Sequence, residues 1–202
     1  MTRRIVVLAS GSGSNLAALI DATGDGRLDA EIVAVFVNRR GAYARTRADE
    51  AGIPQDFVPM RPYLDAAEND RAGREAYDLD LAARVVSLRA DVVVCAGWMH
   101  LFTQGFLDTC GALVVNLHPA LPGTFPGAHA IDDAWEAHLT HGLDRTGVMI
   151  HLVPDEGVDD GPVLRTGEVP IPADGTREEL EERIHELEHQ LLVEAVASLV
   201  SP

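Results

Sequence analysis

The sequence predicts an α/β protein with an open, mostly parallel sheet and helices on both faces, and three observations carry that prediction. Short apolar runs recur at Ile5 to Ala9, Ile32 to Val37, Val92 to Ala96 and Leu113 to Val115. They are continuous rather than alternating, as in strands buried on both faces. Between them lie segments with apolar residues at helical spacing, such as Leu16, Leu19 and Ile20, or Leu81, Val85 and Leu88. Finally, the glycine-bearing turn Ser10-Gly11-Ser12-Gly13-Ser14-Asn15 joins the first strand to the first helix.

Strand, glycine-rich turn and helix open a mononucleotide-binding, Rossmann-like unit. The glycines let the backbone turn tightly, and the new helix offers unpaired N–H groups and the positive end of its dipole to a phosphate. A purely structural turn is the competing reading. The third glycine of a dinucleotide fingerprint is missing, and the second strand ends in Val35-Phe36-Val37-Asn38 without an acidic residue, which argues against a dinucleotide.

The chain then passes through Asn38-Arg39-Arg40-Gly41 into a helix ending near Gly52, with Pro54 beyond it. Residues 53–65 read as irregular, and a long helix is predicted from about 72 to 89. The strand at 91–97 delivers Trp98-Met99-His100-Leu101-Phe102 to the sheet's carboxyl edge, either as packing or as the wall of a pocket for a flat ligand.

Leu113 to His118 is the next strand, stopped by Pro119. Side chains on a strand alternate faces, so Asn116 and His118 project together while Leu117 turns the other way. Ligands in open α/β sheets sit at the carboxyl ends of strands. The pair is either an oxyanion donor beside a proton carrier or a polar strand end satisfying loop backbone. A stiff loop with Pro119, Pro122, Gly123, Pro126 and Gly127 follows, then a helix from about His129 to His138.

Val148 to Val153 is another strand, and Val163 to Ile171 the last. Between them runs the acidic loop Pro154-Asp155-Glu156-Gly157-Val158-Asp159-Asp160-Gly161-Pro162, whose spacing is not that of an EF-hand. Its carboxylates are placed to orient and charge a histidine. The final helix starts at Thr176 with Glu179 completing a capping box, and carries Leu180, Ile184, Leu187 and Leu191 on one face. His185-Glu186-Leu187-Glu188-His189 formally matches the zincin HExxH, but Leu187 belongs to the apolar stripe and no third ligand is in view, so no metal is expected.

At 202 residues and 47% hydrophobic content, the chain suits a single domain over 1–202, with an N-terminal mononucleotide-binding half to about 112 and a C-terminal half from about 113. Arg3 and Arg4 precede only a five-residue apolar run, too short for a signal peptide, and no stretch approaches a membrane span. Two cysteines form neither a disulfide framework nor a zinc set, and the protein is expected in the cytoplasm. The formal charge is −16: residues 1–89 hold 12 Arg against 13 acids, net −1, and residues 90–202 hold 4 Arg against 19 acids, net −15. Such a balance excludes a basic face for nucleic acid. With no lysine at all, P-loop and Schiff-base chemistry are excluded as well.

Taken together, SGSGSN, GWMHLF, NLHP, DEGVDDGP and an EH pair on the last helix resemble the phosphoribosylglycinamide formyltransferase family, in that family's order and over essentially the whole chain. The NxHP and D-x-G-P elements are shared with other users of 10-formyltetrahydrofolate. The SGxGSN loop, and a length that leaves no room for those relatives' extra domain, favour the glycinamide enzymes. The resemblance implies transfer of a formyl group from 10-formyltetrahydrofolate to glycinamide ribonucleotide, without metal, by a monomer or homodimer acting on small molecules. It implies Asn116, His118 and Asp159 as catalytic residues, and Gly13, Ser14, Asn15, His185 and Glu188 as ligands of the ribonucleotide. Arg74, Met99, His100, Leu101, Phe102, Asn116 and Asp155 would line the folate site. The chain departs from the family pattern at His100, where arginine is usual, at Ala120 to Gly123, and at His185. A formyl-folate hydrolase and a non-catalytic nucleotide-binding module are the competing functions.

Overall fold

A computed structural model describes residues 2–200. Seven strands form one sheet in the order β3-β2-β1-β4-β5-β6-β7. The first half alternates strand and helix: β1 (Arg3–Ala9), α1 (Ser14–Gly24), β2 (Ala30–Val37), α2 (Ala44–Glu50), β3 (Gln55–Phe57), α3 (Arg61–Ala66), α4 (Asp70–Ser87) and β4 (Val92–Cys95). Then come α5 (Gln104–Cys110), β5 (Leu113–His118), α6 (Ala130–His141), β6 (Arg145–Leu152), β7 (Val163–Pro170) and α7 (Arg177–Val200).

The predicted class is correct. Pairings from β3 across to β5 are parallel, whereas β5–β6 and β6–β7 are antiparallel. Period two sorts β1 between two cores. Ile5, Val7 and Ala9 join α1 and α7 on one face; Val6 and Leu8 join Tyr77, Leu81 and Val85 of α4 and Phe106 of α5 on the other. Hence the strands read as unbroken apolar runs.

Residues 53–65, expected to be irregular, contain the short β3 and the start of α3, and α5 was not anticipated at all. Each is too short to show a period. The N-terminus of α5 is instead defined by acceptors distant in the chain: Asp78 Oδ2 takes the Thr103 N–H at 2.7 Å and Glu156 Oε1 the Gln104 N–H at 2.7 Å. The capping box forms as expected, with Glu179 N donating to Thr176 Oγ1 at 3.2 Å and Thr176 N to Glu179 Oε2 at 2.9 Å. No helix among the described residues is long and apolar enough to cross a membrane.

The sheet order reverses between β1 and β4, where β2 and β4 flank β1 on opposite sides. A crevice opens there, beyond the carboxyl ends of the strands.

Candidate active site

The parallel register sets Cys95 of β4 beside Asn116, and the antiparallel register sets His151 of β6 opposite Asn116. Asn116 and His118 do share one side: both reach Asp159 from the loop after β6. Asn116 Nδ2 donates to Asp159 Oδ1 at 3.0 Å, and His118 Nδ1 lies 3.3 Å from Asp159 Oδ2. His151 Nε2 stands 3.2 Å from Asn116 Nδ2 and 3.5 Å from Asp159 Oδ1. The other ring nitrogen of His151, Nδ1, is 2.9 Å from the Leu152 carbonyl, so it carries the proton that this acceptor takes. In the neutral ring Nε2 is thereby left to accept from the Asn116 amide, and in the protonated ring the same atom faces the Asp159 carboxylate.

Gly127 N completes the carboxylate's set, donating to Asp159 Oδ2 at 2.9 Å. Burial alone would raise the Asp159 pKa. The His151 contact, the Gly127 hydrogen bond and the field of His118 outweigh it and hold the carboxyl below its ordinary value. Asp159 occupies the left-handed region, with φ of 53°, a conformation that a short polar side chain tolerates at modest strain. Neighbouring acids in this loop also serve backbone donors: Asp155 accepts Gly157 N at 2.9 Å, and Glu156 holds α5. The acidic loop is thus a set of backbone acceptors. Among the described residues, no group of three His, Cys, Asp or Glu side chains could hold a metal ion.

His118 is buried, and its Nε2 has no partner in the protein. This nitrogen belongs to a residue lining a cavity of about 320 Å³. Asn116, His151 and Asp159 line it too, together with Met99, His100, Leu101, Phe102 and Asp155. Trp98 and Phe102 are buried, while Met99 and Leu101 between them are about half exposed. The cluster is therefore both packing and pocket wall. His100 is fixed by Asn38, Nε2 to Nδ2 at 3.2 Å, and by edge contacts to Tyr77 and Trp98. Burial first, then the charges of Arg74 and Arg39, push its pKa down. Arg74 is placed one step behind the wall, donating to the Leu101 carbonyl without lining the cavity.

A second cavity, of about 360 Å³, adjoins the first. It is lined by the turn at 10–15, by Arg39 and Arg177, and by His185 and Glu188 of α7. All five residues assigned to ribonucleotide binding, Gly13, Ser14, Asn15, His185 and Glu188, meet there. Asn15 Nδ2 donates to Glu188 Oε2 at 3.1 Å, while the buried Asn15 Oδ1 is left without a partner. Burial raises the Glu188 pKa, although the Asn15 hydrogen bond opposes it. Gly97, Met99, Leu117, Pro119 and Ala128 line both cavities.

His151 is the member of the site that sequence reasoning missed. Its signal was available: it is the one polar residue in the apolar run from Val148 to Val153.

An apolar slot beside a polar cavity, with an amide, an imidazole and a carboxylate at their junction, suits group transfer between two ligands, and the class is that of the formyl transferases. Residues 3–196 match the formyl transferase family, and the chain belongs to it. Its relatives include the phosphoribosylglycinamide formyltransferase of Schizosaccharomyces pombe, 43% identical over 206 residues that cover 100% of this chain and 99% of the relative. The Saccharomyces cerevisiae protein of the same name is 42% identical, covering 95% and 94%. Among solved structures, phosphoribosylglycinamide formyltransferase from Bacillus halodurans superposes with a TM-score of 0.86 at 32% identity, covering 98% of this chain and 96% of that one.

Proposed function

We infer that the protein transfers the formyl group of 10-formyltetrahydrofolate to the amine of glycinamide ribonucleotide, a step of purine synthesis, and does so as a single formyltransferase domain. The observation that carries this reading is the meeting of two unlike cavities at the end of β5. The apolar slot walled by Met99 to Phe102 takes the folate. The cavity built on Gly13, Ser14 and Asn15 takes the phosphoribosyl end, with His185 and Glu188 from α7. Asn116 and His118 stand where the formyl carbon and the attacking amine come together.

The chemistry asks a neutral amine to attack an amide-like carbonyl carbon. A C–N bond forms, negative charge builds on the carbonyl oxygen, and the bond to the folate nitrogen then breaks. Meanwhile the amine gives up one proton and the departing nitrogen gains one. Nε2 of His118 is a buried position without a partner. Protonated, it hydrogen-bonds the oxyanion and passes the proton to the leaving nitrogen, and the proton that the amine gives up then restores it. Asp159, ionised and held by Nδ1 of His118, orients the ring and offsets its positive charge. Both Nδ2 hydrogens of Asn116 have partners in the free protein, Asp159 at 3.0 Å and His151 at 3.2 Å. Sharing the hydrogen of the longer contact with the substrate oxygen makes this amide the second oxyanion donor while His151 still holds its plane. One such donor contributes about 2.7–4 kcal/mol in other enzymes. No covalent intermediate is required. The reaction is assigned to the cytoplasm and to a monomer or homodimer.

The test is formyl transfer to glycinamide ribonucleotide, followed spectroscopically through the released tetrahydrofolate. Turnover that depends on the acceptor supports the reading. Consumption of the formyl donor without acceptor indicates a hydrolase instead, and the absence of both turnover and folate binding indicates a nucleotide-binding module.

A further inference from the structure

The glycine-rich turn before α1 has two of its carbonyl oxygens drawn to a neighbouring helix. Ala44 N, at the start of α2, donates to Gly11 O at 3.2 Å. Arg47 Nε, one turn further on, donates to Ser12 O at 2.9 Å. The two segments touch closely as well, because a Cβ on Gly13 would lie 2.8 Å from the Cα and the Cβ of Ala44. Neither Ala44 nor Arg47 lines the cavity that holds Ser10 to Asn15.

A trans peptide points its C=O and the following N–H in opposite directions. With the carbonyls of Gly11 and Ser12 turned to α2, the N–H groups of Ser12 and Gly13 face the other way, toward the cavity. Gly13, at φ 71°, then bends the chain so that the first free donors of α1 follow. Successive backbone donors around a left-handed residue form an anion-binding concavity. The buried, unpartnered Oδ1 of Asn15 marks the same cavity as built for a polar ligand.

We propose that Arg47 is a positioning residue for phosphate recognition: it holds the Ser12–Gly13 peptide with its N–H toward the phosphate and does not touch the ligand itself. The guanidinium is itself oriented, 5.0 Å over the Tyr43 ring. Its charge, one peptide behind the turn, adds to the field that an anion meets. The inference rests on the ribonucleotide reading given above and names the device by which that cavity is held ready.

The experiment compares Arg47→Ala and Arg47→Gln with Arg45→Ala, whose parent side chain sits on the same helix and binds Gln55 Oε1 and Arg40 O rather than the turn. Calorimetry with ribose 5-phosphate measures the cavity without chemistry, and steady-state kinetics measure each substrate. Arg47→Ala is expected to weaken ribose 5-phosphate about tenfold, the scale of one lost charged hydrogen bond. KM for the ribonucleotide rises by a similar factor, while kcat and KM for the formyl donor stay within about twofold. Arg47→Gln, which keeps a donor and loses the charge, recovers part of the loss, and Arg45→Ala changes none of these values. Should Arg47→Ala fail to fold, Arg47→Lys carries the same expectation at retained charge, with a loss of about threefold or more. Unchanged ribose 5-phosphate affinity, or an equal loss in Arg45→Ala, overturns the proposal, and a wild-type protein with no affinity for ribose 5-phosphate overturns it together with the substrate reading. A wild type that binds ribose 5-phosphate but moves no formyl group to glycinamide ribonucleotide overturns the substrate reading alone.

Discussion

Asn116 and His151 face each other across the antiparallel junction of β5 and β6, with Nδ2 and Nε2 3.2 Å apart. His151 thereby braces an amide whose aim decides whether it can meet an oxyanion. His151→Ala is expected to lower kcat by about ten- to a hundredfold through misplacement of that amide, with KM values little changed. Stopped-flow single turnovers read it directly, and a variant within twofold of wild type removes His151 from the site.

Asn116→Ala and His118→Ala each remove a group assigned to the reacting atoms. Turnover is expected to fall about a hundredfold or more in both, with folate affinity measured by calorimetry largely preserved. Near-normal turnover in either variant returns that residue to a structural role.

Asp159 supplies a pH dependence of stability whose sign is definite. Its folded-state pKa lies below the ordinary value of about 3.9, so between those two pKa values the unfolded chain binds more protons. The contribution is complete above the ordinary value and is lost as the pH falls through the folded one. Urea denaturation of Asp159→Asn at neutral pH should show a loss of about 2 kcal/mol. Repeated at pH 3, the gap to wild type should narrow. A gap that stays constant with pH counts against an ionised Asp159 in the free protein.

The attacking amine must be unprotonated, and an α-amino group titrates near pH 7.7–8.0. Accordingly kcat/KM for the ribonucleotide is expected to rise with pH through that region. A flat profile from about pH 6 to 9, with chemistry shown to limit the rate, contradicts direct attack by the amine.

Gly13→Ala tests the turn. A side chain in the left-handed region costs about 1–2 kcal/mol, and here its Cβ also meets Ala44 at 2.8 Å. A lower thermal midpoint and a sharply raised ribonucleotide KM should appear together, at unchanged affinity for a folate analogue.

Parts of this design were legible because local chemistry specified them. The turn at 10–15, the capping box at Thr176 and Glu179, and the shared side of Asn116 and His118 follow from residue type and period alone. Asp159, by contrast, came from resemblance, because a loop carboxylate carries no period and its partners arrive from β5, β6 and Gly127. His151 escaped because the antiparallel turn of β6, which sets it opposite Asn116, leaves no mark in a short apolar run. The N-terminal turn of α5 depends on Asp78 and Glu156, acceptors that only the folded chain brings near.

The wall shared by the two cavities has a thermodynamic corollary. Gly97, Met99, Leu117, Pro119 and Ala128 belong to both, so a molecule seated in one sets the boundary that the other meets. Whatever factor a bound ribonucleotide imposes on folate affinity, a bound folate must return to the ribonucleotide in equal measure.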